Sequence, residues 1–387
     1  MNQKNIETNI LYTNEEWRKA MEHLEEYGYC VVPGITAEYV KKLESDFFDW
    51  FEGFDTVKRN DSKTWSGKGA PETIHGIYKH FGIGHIQAIW DARVAVAHIF
   101  EKYWNTPKLL TSFDGVCLLR PGMGFQESKA DWIHTDQAPN IRVTKEVSKA
   151  FQVYNTTKQS FRCVQGILNL VDCGQDDGGL YVASGSHKHH SEFFKNTNQI
   201  GYKENWYKYL SPSKEKTESD EQYSERCKAG KDYLNRFDKV KVCANAGDMI
   251  LFFSTLAHCA VPTQKWNKTH RLAFYISMLP KSLATSSELK RRRKALESLR
   301  TTSHWACLSF KMNSEFPRTY GVDDPFKIMT YPVEKSQFPI LTKKMIELIG
   351  VDSKNETVIQ FKHLNSIQRK RNITTEDGEY KIQKREE

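Results

Sequence analysis

The sequence lacks the long apolar run that a membrane-spanning helix requires. No stretch of the 387 residues approaches about 18 consecutive uncharged apolar residues. The first residues, Met-Asn-Gln-Lys-Asn, also lack the apolar run of a secretory signal peptide. We therefore expect a cytoplasmic protein with no membrane partner.

Closely spaced cysteine pairs, which would indicate a zinc site or a redox motif, are missing as well. The eight cysteines include no Cys-x-x-Cys pair and are irregularly spaced along the chain. In a large chain without a secretion signal, we interpret them as free thiols in a reducing compartment. No internal repeat is visible.

What the sequence does contain is apolar surface, together with an uneven distribution of charge. Hydrophobic residues make up 39% of the chain, which excludes disorder or a coiled coil for most of its length. Residues 281–387 contain 21 Lys and Arg against 14 Asp and Glu, which accounts for +7 of the net charge of +8. The basic runs 290–294 and 369–371 could contact nucleic-acid phosphates, but we favour a solvated helix face because no aromatic residues are interleaved with them.

The pattern of apolar residues changes after Pro107. Helical periodicity dominates before it, with Asn14 and Thr36 as candidate N-caps. Short strand-like runs separated by Gly, Pro and Asp follow it, which predicts a β-sandwich or barrel. We expect an N-terminal helical region over residues 1–106 packed on a β core over 107–280. A polar insertion over 188–238 interrupts the core, and a basic, mostly helical extension occupies 281–387.

His134 and Asp136 form a His-x-Asp pair within the segment Trp132-Ile133-His134-Thr135-Asp136. Side chains two residues apart on an extended segment point to the same face, so this imidazole and carboxylate can both reach one metal ion. Most such pairs are ordinary surface residues, and the pair alone does not decide between the two interpretations.

Two later residues strengthen the metal hypothesis. His258 follows an apolar strand that begins at Gly247-Asp248, a position where it could also be a core histidine. Arg271 opens the nearly apolar run Arg271-Leu272-Ala273-Phe274, and a charge buried there requires an anionic partner. That partner is either a structural carboxylate or the carboxylate of a ligand, held by the guanidinium fork.

Two histidines and one carboxylate on a β-scaffold are the ligand set of non-haem Fe(II) oxygenases, which leaves three positions open at the metal. His134, Asp136 and His258 are therefore the candidate catalytic and metal-ligating residues. Two open positions would take the 2-oxo acid group of 2-oxoglutarate, and the third would take O2. Arg271 would bind the far carboxylate of 2-oxoglutarate.

The sequence resembles the phytanoyl-CoA dioxygenase family of Fe(II)- and 2-oxoglutarate-dependent oxygenases over about residues 14–280. Four features in order carry the resemblance: an opening strand at residues 26–34, His134-Thr135-Asp136, the stretch 177–187 ending in Gly-Ser-His, and Gly247-Asp248 leading to His258 and Arg271. Some relatives carry a bulky aromatic residue at the position of Gln165, and a small polar residue at that of Ala260.

The resemblance implies a mainly β fold with flanking helices, a double-stranded β-helix (jelly roll, cupin-like). It implies an Fe(II)/2-oxoglutarate-dependent dioxygenase, an oxidoreductase with Fe(II) as cofactor and 2-oxoglutarate and O2 as co-substrates. We expect it to hydroxylate a small organic substrate and to release succinate and CO2. Long loops on rigid scaffolds often carry specificity, so we expect the insertion 188–238 to border the pocket mouth.

Two other functions stay open. The first is an oxygenase acting on a protein or nucleic acid that the basic C-terminal residues recruit. The second is a catalytically silent relative that uses the same pocket for binding. A second metal site at His187, His189 and His190 is also conceivable, but we favour a turn anchored by His187, with the other two histidines solvated.

Overall fold

The computed structural model describes residues 10–54, 56–66, 70–71, 76–122, 132–139, 141, 161–210, 214–264, 266–313 and 339–351. Within these residues the α-helices are α1 (Asn14–Tyr27), α2 (Ala37–Phe51), α3 (Gln87–Trp104), α4 (His190–Asn196), α5 (Asp220–Leu234), α6 (Ser286–Glu297) and α7 (Lys343–Ile349). The strands are β1 (Tyr29–Pro33), β2 (Ile77–Tyr78), β3 (Leu109–Thr111), β4 (Val116–Leu119), β5 (His134–Thr135), β6 (Val164–Asn169), β7 (Gly179–Ala183), β8 (Tyr207–Lys208), β9 (Lys239–Lys241), β10 (Asp248–Phe253), β11 (His258–Val261), β12 (Arg271–Tyr275) and β13 (Met278–Pro280).

Two antiparallel sheets form the core as a double-stranded β-helix. The larger sheet has the strand order β1-β10-β6-β12-β4-β2, and the smaller has the order β8-β5-β11-β7-β9. A third pairing joins β3 to β13. Strands β1 and β2 precede residue 107, so the N-terminal region contributes an edge strand to each side of the larger sheet.

Strand β10 shows how the larger sheet separates two apolar layers. Ile250 and Phe252 face the smaller sheet, where they pack with Leu180 and Val182 of β7. The alternate residues Met249, Leu251 and Phe253 face the other side and join the cluster formed with the helices. This two-residue period is expected of a strand buried on both faces. Helices therefore shield one face of the sheet from water, while its other face lines the interior of the β-helix.

The helices that cover the larger sheet begin at capped residues. Thr13 caps α1, and its side chain and that of Glu16 form a reciprocal capping box. The prediction of Asn14 as the cap is thus wrong by one residue, whereas Thr36 caps α2 as expected. Gly28 ends α1 with φ of 89°, a left-handed conformation that favours glycine. This turn lets the chain pass directly into β1.

The insertion 188–238 has an apolar interior of its own. It contains α4, β8 and α5, and five of its aromatic side chains are buried together: Phe193, Phe194, Tyr207, Tyr209 and Tyr233. Strand β8 pairs with β5, and Lys208 lies opposite His134. The insertion therefore supplies an edge strand beside a candidate metal ligand, in addition to the loop that the sequence predicts.

The basic run on α6 is partly buried. Arg292 is 0% exposed, and its guanidinium donates to four backbone carbonyls: Thr111, Ala306, Leu348 and Ile349. The prediction of a solvated face is wrong for Arg292, because α6 packs on the core through this side chain. It holds for Lys290, Arg291 and Lys294, which are exposed. The second basic run, 369–371, lies outside the described residues.

Two other expectations from composition concern membrane spans and cysteines. Across the described part of the chain, no helix is long and apolar enough to cross a membrane. All eight cysteines are free, and six of them are buried. The interpretation of the cysteines as unpaired thiols is confirmed.

Candidate metal centre and substrate pocket

The two candidate ligand histidines lie on neighbouring strands of the smaller sheet. Strand β5 pairs antiparallel with β11, which brings His134 directly opposite His258. Both side chains are buried, and their ring centroids are 4.4 Å apart. The sheet register therefore joins two histidines that are more than a hundred residues apart in the sequence.

The two histidines use the same local hydrogen bond to orient their rings. Nδ1 of His134 lies 3.0 Å from the carbonyl oxygen of Trp132, and Nδ1 of His258 lies 2.8 Å from that of Leu256. A carbonyl only accepts, so Nδ1 carries the proton in both rings. Nε2 is then the unprotonated nitrogen of each ring, and both Nε2 atoms are directed toward Asp136.

Asp136 completes the cluster from a bend just after β5. Its backbone N–H donates to the carbonyl of Ser254 at 2.8 Å, which ties the bend to the end of β10. Its Oδ1 lies 3.5 Å from Nε2 of His134, and its Oδ2 lies 3.4 Å from Nε2 of His258. One ligand atom from each of the three residues lies within 4.8 Å of the others. The sequence-predicted triad thus converges in space.

The charge states at the cluster suit a metal site. Burial lowers the pKa of His134, although the nearby carboxylate acts in the opposite direction. Burial alone would raise the pKa of Asp136. The positive charge that His134 would carry when protonated, and the hydrogen bonds that both histidines would then donate, hold that pKa well below its usual range. An ionised carboxylate beside a neutral imidazole is the state from which a metal is bound without first releasing protons.

Arg271 is a buried cation with unused hydrogen-bond donors. It opens β12 opposite Leu119 of β4, and it is 5% exposed. Among the described residues, its Nε and Nη1 have no hydrogen-bond partner, and no carboxylate pairs with it. Leaving such donors unpaired costs several kcal/mol, because a buried charge has lost its contacts with water. From the sequence, the partner of Arg271 is either a structural carboxylate or the carboxylate of a ligand. The described residues supply no structural carboxylate.

The triad and Arg271 line one cavity of about 680 Å³. Its walls include six aromatic side chains: Trp132, Trp206, Phe252, Tyr275, Trp305 and Phe310. Trp132 stacks on the ring of His134 with centroids 4.8 Å apart. Trp206 belongs to the insertion, and residues 203–206 all line the cavity, so the insertion borders the pocket as predicted. The cavity lies within the 300–1,000 Å³ range of small-molecule sites.

Comparison with known proteins identifies the family. The family model described as phytanoyl-CoA dioxygenase (PhyH) matches residues 24–268, well over half of the chain. The chain belongs to the phytanoyl-CoA dioxygenase family. Members are Fe(II)- and 2-oxoglutarate-dependent oxygenases, and the protein is an oxidoreductase of this class, as the sequence resemblance implies.

Individual relatives are distant. The chain is 27% identical over 284 residues to "Ava biosynthesis cluster protein O" of Aspergillus versicolor, a match that covers 71% of this chain and 80% of the relative. It is 25% identical over 301 residues to a Dictyostelium discoideum protein named for phytanoyl-CoA dioxygenase, covering 72% and 80% of the two chains. An oxidoreductase of Salmonella typhimurium LT2 is similar in structure with 14% identity and a TM-score of 0.49, covering 88% and 83%. A structural likeness of that size carries no argument about function.

Three pocket residues of this member of the phytanoyl-CoA dioxygenase family received no role from the sequence. Gln165 of β6 donates from Nε2 to Oδ2 of Asp136 at 2.9 Å. Trp305 donates from Nε1 to the backbone carbonyl of Asp136 at 3.3 Å, and Nε2 of His304 lies 3.3 Å from Oγ of Ser254. Gln165 occupies the position noted for an aromatic residue in some relatives, which was a usable signal. His304 and Trp305 lie beyond the family match and follow no motif.

The histidines of the Gly-Ser-His stretch do not form a second metal site within the described residues. Nε2 of His187 lies 3.1 Å from the carbonyl oxygen of Glu25, so His187 anchors the turn as expected. His189 is partly exposed beside Glu192. The prediction that His190 is solvated is wrong: it is 2% exposed, and its Nε2 contacts the carbonyl oxygen of Gln137. It packs inward because it begins α4, whose aromatic residues fill the interior of the insertion.

Proposed function

We propose that His134, Asp136 and His258 bind Fe(II), and that Arg271 binds 2-oxoglutarate in a dioxygenase that hydroxylates a small organic substrate with release of succinate and CO2. The single observation that carries this proposal is the shared cavity. It joins a two-histidine, one-carboxylate cluster to a buried guanidinium without a partner among the described residues. A purely structural role would not require these two features on one open cavity.

The dimensions of the triad fit a first-row divalent metal. Two ligands at about 2.1 Å from an ion and at right angles to each other lie about 3 Å apart. The nitrogen-to-oxygen distances of 3.5 and 3.4 Å are close to this value, so small side-chain adjustments suffice. Two imidazole nitrogens and one carboxylate on a single face form the donor set that suits non-haem Fe(II) and leaves positions open.

Arg271 suits a carboxylate in both charge and shape. Its unpaired Nε and Nη1 belong to one planar fork, which can donate two hydrogen bonds to the two oxygens of a carboxylate. Binding of the far carboxylate of 2-oxoglutarate would satisfy these donors and neutralise the buried charge. Its other end would then reach toward the triad within the same cavity.

Gln165 orients the carboxylate ligand. Its amide holds Oδ2 of Asp136, which leaves Oδ1 as the oxygen with fewer protein partners. The backbone N–H of Asp136 and the Nδ1 hydrogen bonds of the histidines fix the remaining ligand orientations. Such supporting hydrogen bonds hold metal ligands in position before the ion arrives. When bound, Fe(II) and 2-oxoglutarate together supply the oxidising chemistry, and the aromatic walls exclude bulk water.

A small organic substrate is favoured by the cavity and by one relative. The aromatic walls and the volume of about 680 Å³ suit an organic molecule in addition to 2-oxoglutarate. The Aspergillus versicolor relative is named for a biosynthesis cluster, which supports a substrate from biosynthesis here. We further infer that residues 107–280 form the catalytic core, with 1–106 packed on it and 281–387 as an extension.

A succinate-release assay tests this function. Purified protein is incubated with Fe(II), 2-oxoglutarate and O2, and succinate is measured across a panel of small organic compounds. We expect slow release without substrate and faster release with an accepted compound. Binding of Fe(II) and 2-oxoglutarate without any succinate would instead indicate a silent binding protein. Stimulation only by a protein or nucleic acid would indicate a macromolecular substrate.

A further inference from the structure

Residues 303–311, which we call the C-terminal loop, form a closed loop beside the metal centre. The N–H of Ser303 donates to the carbonyl of Lys311 at 2.9 Å, and the N–H of Asn313 donates to that of Thr301 at 2.9 Å. Thr302 and Met312 form a β-bridge at the same place. The base of the loop is therefore pinned, and its residues lie beyond the family match at 24–268.

Buried contacts hold the C-terminal loop against the core. Arg292 donates to the carbonyl of Ala306 at 2.7 Å, and Arg291 donates to that of Phe310 at 2.7 Å. Thr302 exchanges two hydrogen bonds with the backbone of Phe113, each 3.0 Å long. A loop anchored at its base and at two interior carbonyls can present side chains in fixed positions.

The C-terminal loop forms one wall of the cavity. His304, Trp305, Ser309, Phe310 and Lys311 all line it. Trp305 is hydrogen-bonded to the backbone of Asp136, so this wall directly adjoins the candidate metal site. Of the other aromatic residues in the lining, Trp132 lies just before β5 and Trp206 belongs to the insertion. The cavity is thus enclosed by flat apolar surfaces on more than one side.

His304 carries a hydrogen-bonding atom that the protein leaves unused. Its Nε2 is occupied by Oγ of Ser254, whereas Nδ1 has no hydrogen-bond partner among the described residues. A neutral imidazole with one nitrogen engaged can still donate or accept one hydrogen bond at the other. A polar atom left open beside Trp305 and Phe310, on the same wall of the cavity, is a natural contact for a polar group of a ligand.

We propose that the C-terminal loop is the substrate-selecting wall, and that Nδ1 of His304 hydrogen-bonds a hydroxyl or carbonyl group of a largely apolar, ring-bearing substrate. This inference rests on the proposed oxygenase function and names the substrate class for the same site. The aromatic side chains would stack on the rings, and His304 would fix which ring edge faces the triad. Stacking supplies affinity with little orientation, so a hydrogen bond beside the stacked rings is needed to orient them.

Two substitutions of His304 distinguish the roles of its two ring nitrogens. The amide of His304→Asn can reproduce a hydrogen bond at the position of Nδ1, whereas the longer side chain of His304→Gln can reproduce the contact of Nε2 with Ser254. The probes are ring hydrocarbons that carry one hydroxyl group and no other polar group, each compared with its counterpart lacking that hydroxyl group. Succinate release above the substrate-free rate is measured for both members of each pair. Anaerobic binding of Fe(II) and 2-oxoglutarate is measured in parallel.

The wild-type protein should prefer the hydroxylated members by about tenfold in kcat/KM, the worth of one hydrogen bond. His304→Asn should keep most of this preference, and His304→Gln should lose it, with Fe(II) and 2-oxoglutarate binding unchanged in both. Equal preference in the two variants would overturn the role of Nδ1. If no ring compound stimulates the wild type although it consumes 2-oxoglutarate slowly, the substrate class is wrong and the oxygenase function stands. Absence of any 2-oxoglutarate consumption would count against the proposed function itself.

Discussion

His134 and His258 face each other across β5 and β11, with their imidazole centroids 4.4 Å apart. In each ring, Nδ1 is held by the carbonyl oxygen two residues earlier in the chain. The same local hydrogen bond therefore orients both histidines, and Asp136 lies between their two Nε2 atoms. An ion at this place would link two strands of the smaller sheet.

The first prediction concerns loss of the metal ligands. His134→Ala and Asp136→Ala should each abolish succinate release, because removing one of three ligands leaves too few to retain Fe(II). The fold should persist, as judged by far-ultraviolet circular dichroism. Mn(II), used as a redox-stable substitute, should raise the Tm of the wild type but not of either variant. His189→Ala is the matched control and should behave as the wild type, since His189 lies at the surface outside the triad.

The second prediction concerns Arg271. Arg271→Lys keeps the charge but loses the planar fork, so it should weaken 2-oxoglutarate binding by about 1–3 kcal/mol, the range for a hydrogen bond to a charged group. Fe(II) affinity should change little, because Arg271 contacts no member of the triad. Isothermal titration under anaerobic conditions measures both affinities. Arg236→Lys, at a partly exposed arginine, is the control. An unchanged 2-oxoglutarate affinity in Arg271→Ala would remove Arg271 from the binding site.

The residues found from sequence share one property: their positions follow from local pattern. A His-x-Asp pair places two ligands on one segment, and His258 follows shortly after the apolar strand β10. Arg271 is recognisable because a charge opens an apolar run. The convergence of these residues follows from the strand register of the fold, which the family resemblance implied.

The residues that sequence analysis missed depend on long-range contacts. His304 and Trp305 reach the pocket because Arg292 donates to the loop carbonyl of Ala306 and Thr302 bonds to the backbone of Phe113, and no periodicity records such anchoring. The burial of Arg292 and His190 was missed for a related reason. A basic run and a histidine cluster both resemble solvated sequence, yet backbone carbonyls satisfy these side chains inside the protein.

The third prediction concerns the insertion. Deleting residues 188–238 would remove β8, the strand that pairs with His134, so a point substitution is the sharper test. Trp206→Ala should reduce substrate-stimulated succinate release several-fold and leave 2-oxoglutarate binding nearly unchanged. Trp266→Ala, at a 70% exposed tryptophan outside the cavity lining, should alter neither quantity. If Trp206→Ala lowers succinate release and 2-oxoglutarate binding equally, the insertion has a structural role.

The fourth prediction concerns pH and stability. Burial lowers the pKa of both His187 and His190 from 6.5 to about 4. Between these values the unfolded chain binds protons that the folded protein does not, so stability is fully present above about pH 6.5 and falls as the pH drops toward 4. Between pH 7 and pH 5, the free energy of unfolding should fall by about 1–2 kcal/mol less in His190→Gln than in the wild type. Urea unfolding of metal-free protein at the two pH values measures it. An unchanged pH dependence would show that folding does not lower the pKa of His190.

The central claim is that one cavity holds Fe(II) on the triad and 2-oxoglutarate on Arg271. The most direct measurement is a crystal structure of the protein grown without oxygen in the presence of Fe(II) and 2-oxoglutarate. We predict one ion about 2.0–2.2 Å from Nε2 of His134, Nε2 of His258 and a carboxylate oxygen of Asp136. The far carboxylate of 2-oxoglutarate should accept hydrogen bonds from Nε and Nη1 of Arg271. An ion bound elsewhere, or 2-oxoglutarate bound away from Arg271, would contradict the account.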